Sequence, residues 1–108
     1  MPFYMFTARD TAASMKALIQ HSSDREVPAR QVAESLGGTL HHLFFAMGQD
    51  DVIAIAEMPD DVSVAALSMT IGASGGLFGG ATTKLLTPAA ALEVMQKAGA
   101  AQYAPPNG

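Results

Sequence analysis

The 108-residue chain is 49% apolar and 15% charged, carries a formal net charge of −4 and contains no cysteine. That length allows one core rather than two, and that composition excludes a disordered chain. The six basic residues are scattered, so no basic face for a nucleic-acid backbone is expected. Absence of cysteine excludes disulfides, thiol nucleophiles, iron–sulfur clusters and cysteine-based zinc sites, and fits a cytoplasmic setting. The apolar start, residues 1–6, has no basic region before it and meets Arg9 and Asp10 too early for a signal peptide. The uncharged run 62–83 is long enough to cross a bilayer, but Gly72, Gly75, Gly76, Gly79 and Gly80 crowd its second half. It reads as a buried helix and a glycine-rich connection, with no membrane partner.

Residues 3–8, aromatic and apolar between Pro2 and Arg9, predict a strand. Residues 11–20 predict a helix with Met15, Leu18 and Ile19 on one face and Asp10 or Thr11 as N-cap. After Ser22, Ser23 and Asp24 a second helical piece spans 28–36, with Pro28 in its first turn and Gly37 past its end. Strands follow at 40–47 and 52–58, joined by a short loop of Gly48, Gln49, Asp50 and Asp51. Asp60 caps a helix carrying Val64, Leu67 and Ile71, which the glycines from Gly75 onward end. A fourth strand covers 81–86, and Thr87 with Pro88 opens a last helix bearing Leu92, Val94 and Met95. Residues 1–98 form the domain, and 99–108 form a flexible tail.

This order predicts an α+β, ferredoxin-like split βαβ fold: a four-stranded antiparallel sheet with helices on one side and an extra C-terminal helix. A sheet wet on its other side should alternate apolar and polar residues. These strands do not. Tyr4 and Phe6 share one parity while Phe3 and Met5 share the other, and both parities of 52–58 are apolar apart from Glu57. About six such side chains left in water would forgo roughly 1.5–3 kcal/mol each, which rivals the stability of a small domain. The expected cover is a second copy, sheet to sheet, in a homodimer. The competing expectation is that the last helix or the tail folds over the face.

His41 and His42 lie side by side. Successive strand residues point to opposite faces, so the two are not expected to hold one metal, and no metal or other cofactor is expected. Glu57 is the one charge in an apolar strand. A four-residue hairpin loop, 48–51, sets His42 opposite Glu57, whereas a three-residue loop sets His41 there. His42 and Glu57 are therefore the candidate catalytic pair, able to move a proton near neutral pH. The simpler reading is a polar pair at a sheet edge or interface, worth roughly 0.2–1 kcal/mol. His41, Tyr4, Phe44 and Asp51 are further candidates for contact with a ligand. Asp50 and Asp51 are also explained by hairpin chemistry, and Asp60 and Asp61 by the helix start. The glycine run 75–80 lacks the Lys-Ser/Thr of a phosphate loop and is expected to be a flexible connection or lid. The methionines fill the core.

The stretch from Gly48 to Asp61, GQDDVIAIAEMPDD, resembles the central motif of the GYD domain family, a G-x-Y-D-x-V-A-x-x-E-x-P-D-D-like run. Residues 33–38 and the Thr87-Pro88 helix start are similar too, so the resemblance covers most of 3–97. It implies a ferredoxin-like fold of the dimeric α/β-barrel type. Gly48, Asp51 and Glu57 match the pattern. Asp50 stands in place of the motif tyrosine, and Gly79 and Ala81 stand where larger, often charged residues are expected. Together these readings predict a homodimeric protein that binds a small apolar or aromatic molecule in a pocket between sheet and helices, with the His42–Glu57 pair as the polar feature of that pocket. The alternative is a cofactor-free enzyme of the dimeric barrel type, catalysing proton transfer, isomerisation or a monooxygenase-like oxidation with His42 and Glu57.

Overall fold

The structure, a computed structural model, describes residues 1–106. Its elements run β1 (Phe3–Asp10), α1 (Ala12–Gln20), α2 (Glu26–Ser35), β2 (Thr39–Phe45), β3 (Val52–Glu57), α3 (Asp61–Ala73), β4 (Leu77–Leu85) and α4 (Pro88–Ala100). The strands form one sheet of order β2-β3-β1-β4, with every neighbouring pair antiparallel. This is the expected α+β, ferredoxin-like arrangement.

The helix starts follow local chemistry. The side chains of Thr11, Asp60 and Thr87 accept from the backbone N–H groups of Ser14, Ser63 and Ala90, each satisfying a donor that the first helical turn leaves free. Gly37, at φ +83°, turns the chain out of α2 in the left-handed conformation that glycine adopts without strain.

The ladder sorts the side chains into rows. On the helix-covered face one row is Lys84, Tyr4, Ala56 and Leu40, and the next is Thr82, Phe6, Ala54 and Leu43. Tyr4, Met58, Val64 and Leu67 form one buried cluster, and Ala33, Leu40 and Ala56 form another, with Phe6 packed against both. α2 and α3 therefore close tightly over the end of the sheet near Tyr4 and Met58.

Two segments differ from expectation. β2 ends at Phe45, paired with Val52, so six residues rather than four connect β2 to β3. β4 begins at Leu77 instead of 81, which places most of the glycine run inside a strand. Gly79 and Gly80 have φ of +64° and +76° and sit where the register with β1 shifts between Thr7 and Arg9. A Cβ on Gly80 would collide with the Thr7 carbonyl, so glycine there lets two strands touch rather than freeing a lid. Of the expected tail, Gly99 and Ala100 finish α4, and residues 107–108 lie outside the described part.

Candidate functional site

The opposite face of the sheet has rows of its own. Leu85, Phe3, Glu57 and Thr39 align across one row, and Thr83, Met5, Ile55 and His42 across the next. A third holds Ala81, Thr7, Ile53 and Phe44. Among the described residues no helix lies on this face; α4 buries no residue, has no close packing against another element and does not fold back over it.

The histidine pair is placed differently from the register argument. The register of β2 against β3 shifts between Leu40 and His42, a bulge that leaves His41 without a ladder partner. Thr39, not His42, is the ladder partner of Glu57. The extra residue brings both histidines to the open face. His41 Nε2 lies 2.7 Å from Glu57 Oε1, and the His41 ring stands 5.4 Å from that of Phe3. His42 instead stacks on Phe44 at 5.8 Å. So the partner of Glu57 is His41, and the pair sits on the face away from the helices, outside any pocket between sheet and helices. The terminal amine of Met1 approaches the other Glu57 oxygen at 4.0 Å. Among the described residues no cluster of three metal-ligating side chains forms.

Tyr4 takes a structural position. Its ring is buried in the core, and its hydroxyl reaches the helix surface and donates to Asp61 Oδ1 at 2.6 Å. Lys84 Nζ lies 3.5 Å from the same oxygen and 5.7 Å from the centre of the Tyr4 ring. The hydrogen bond to the Asp61 carboxylate, with burial adding to it, pushes Tyr4 above its ordinary pKa. The same hydrogen bond, with the Lys84 charge, holds Asp61 below the ordinary carboxylate range. This group ties the start of α3 to β1 and β4. Asp51 is also committed locally: its carboxylate accepts from the Asp10 backbone N–H at 3.0 Å, joining the hairpin loop to the end of β1. Phe44 stands exposed on the open face.

Two hollows lie on the helix side. Away from Tyr4 and Met58, α2 and α3 splay apart over the sheet. They leave two adjoining hollows of about 250 and 380 Å³ that share Ala29, Leu43, Val52, Ile71 and Leu77. Small residues make the gap: Ala29 on α2, Gly72 on α3, and Ala8 and Ala54 on the floor occupy positions where larger side chains would meet. Polar groups gather at one end, where Asp10, Ser14, Arg25, Thr70 and Ser74 line the rim. Asp10 already accepts from the Ser14 hydroxyl at 3.2 Å. None of these rim residues was a candidate for ligand contact in the sequence. The small residues on the inward parity of the strands were the available sign.

A family model described as GYD domain matches residues 4–95. The chain belongs to the GYD domain family. Neither the comparison with curated proteins nor that with solved structures returned a significant match. Within this GYD domain the motif positions take plain structural roles. Asp51 fastens the hairpin to β1, while Glu57 ends β3 and receives His41. Asp50, in place of the motif tyrosine, turns toward Arg9, with Oδ1 3.6 Å from Nε. Among the described residues no helix is long and apolar enough to cross a membrane.

Proposed function

We propose that this GYD-domain protein is a homodimer whose subunits each bind a small apolar or aromatic molecule in the cleft between α2 and α3. The observation that carries the ligand is the splay of those helices. It leaves a mostly apolar space of ligand size with a few polar groups at one rim, the usual form of a small-molecule site. The open sheet face supports the dimer, because its apolar centre of Phe3, Met5, Ile53 and Ile55 has no helix over it among the described residues. The rim groups Arg25, Ser14 and Thr70 suit a polar substituent on one end of the ligand. Native mass spectrometry of freshly purified protein tests both halves. The expected result is a dimer that carries a small bound mass, lost when Ala54→Phe fills the cleft floor. A dimer that is empty in wild type and that fails to take up the aromatic probe anilinonaphthalene sulfonate in a saturable way overturns the ligand reading.

One further observation favours a second reading. His41 and Glu57 form a 2.7 Å imidazole–carboxylate pair beside Phe3, an arrangement in which a carboxylate orients a base. This supports a cofactor-free proton-transfer or isomerase activity, with His41 taking the role first assigned to His42. The check is solvent-deuterium incorporation into small carbonyl acids. Incorporation lost in both His41→Ala and Glu57→Gln upholds it, and incorporation unchanged by either variant discards it.

A further inference from the structure

α4 is a well-made helix that buries none of its residues against the rest of the described chain. Thr87 caps it, Pro88 opens it, and it runs for 13 residues. Yet it has no buried residue, and only Ala90 and Ala91 are even half-shielded. Leu92, Val94 and Met95 are 55%, 52% and 67% exposed. At about 100° per residue, Ala91, Leu92, Val94, Met95, Ala98 and Gly99 fall within an arc of roughly 160°, while Glu93, Gln96 and Lys97 occupy the other side. The exposed residues therefore form an apolar stripe.

The shape agrees. The molecule measures 61 × 32 × 22 Å, and its radius of gyration is 17.6 Å. A compact chain of this length would have a radius of gyration of about 13 Å. The connection holds α4 in this pose. Thr87 has φ −67° and ψ 159°, the extended conformation that a following proline enforces, and Pro88 fixes its own φ. Leu86 and Thr87 separate β4 from α4, and with Thr87 extended the helix continues away from the body of the sheet. A helix of this length is marginal in water without a packing partner.

Area identifies the partner. Four strands at a spacing of ~4.8 Å, each about seven residues long, present roughly 450 Å² per copy. Two such faces bury roughly 900 Å², below the ~1,200 Å² at which stable interfaces begin. Two helices of about 20 Å, each laid against the other copy, add roughly 700 Å² and bring the total to standard size.

We infer that α4 is an arm exchanged between two copies of this chain: in the dimer each helix lays its Leu92–Met95 stripe on the partner instead of on its own body. This rests on the dimer reading above and adds to it, since the sheet faces and the arms together make the interface.

The test compares the full wild-type chain with Leu92→Glu/Met95→Glu and with the polar-side control Glu93→Gln, by native mass spectrometry across a dilution series. The substituted side chains are exposed in the single chain, so its fold does not depend on them. Wild type and Glu93→Gln are expected to be dimers of equal affinity. The double variant is expected to weaken the dimer by about a hundredfold, because four apolar anchors leave each interface. A monomeric wild type overturns both the dimer and the arm and leaves the stripe to another occupant. A dimeric wild type whose affinity the double variant leaves unchanged overturns the arm alone. Direction of docking is read separately. Leu92→p-benzoylphenylalanine, mixed as 15N-labelled and unlabelled chains and irradiated, is expected to yield crosslinks that join a heavy chain to a light one. Crosslinks confined to single chains overturn the exchange.

Discussion

Tyr4 and Phe3 are neighbours on β1, yet they meet different worlds. Tyr4 faces α3; Met58, Val64 and Leu67 enclose its ring, and Asp61 accepts a hydrogen bond from its hydroxyl. Phe3 faces outward, with the His41 ring beside it and no helix above. Both parities of the strand are apolar, so residue type does not separate the two sides. Cover does. The helix side is completed by the chain itself, although only at the Tyr4 end, and the splayed end is left as a cleft. The open side has no cover among the described residues. Apolar area on a strand thus reports that a surface will be covered, and the topology decides by what.

The sharpest way to break this comparison is at Met58, which is 0% exposed. Met58→Ala is expected to lower unfolding free energy by about 2–5 kcal/mol, read by urea denaturation, because a cavity opens beneath α3. Ile55→Asp tests the other side. It is expected to cost the isolated subunit about 1 kcal/mol, the range spanned by strand preference. It should weaken the proposed dimer at least tenfold, since the charge would enter its interface twice; analytical ultracentrifugation measures this. A variant that lowers subunit stability as much as Met58→Ala does would mean that the open face is covered within one chain.

Ala54→Phe sharpens the contrast within the helix side. It is expected to abolish saturable anilinonaphthalene sulfonate fluorescence while changing stability by no more than about 1–3 kcal/mol, the cost of overpacking a site with room to spare.

The smallest effects are electrostatic. The backbone N–H of Ser63 holds Asp60 below its ordinary pKa, and Tyr4 does the same for Asp61. A carboxyl lowered in the folded state contributes stability that is present above its ordinary value of 3.8 and lost as pH falls through the lowered one. Asp60→Asn keeps the cap without the titration, so its acid unfolding curve is expected to be flatter than that of wild type. Tyr4 runs the opposite way. Its raised pKa contributes stability that is present below the ordinary value of 10.0 and lost as pH rises above it. Tyr4→Phe should remove that alkaline loss, as thermal melts between neutral pH and pH ~11 will record.

The residues by themselves determined much of this protein. Thr11, Asp60 and Thr87 mark helix starts, and Gly37 marks a helix end, because a cap is made within three or four positions of the chain. Apolar runs between them set the element order, and the motif around Gly48–Asp61 marked the family. Only the tertiary structure decided which histidine meets Glu57. The bulge at His41 is settled by how β2 and β3 align along their whole length, and one added residue changes the partner. It also decided where the cleft lies. Ala29, Ala54 and Gly72 come from three separate segments, and the space they leave exists only once α2 and α3 are laid on the sheet. The free stripe of α4 has the same origin. Its amphipathic pattern is local, but the lack of a partner for it is a property of the whole chain's packing.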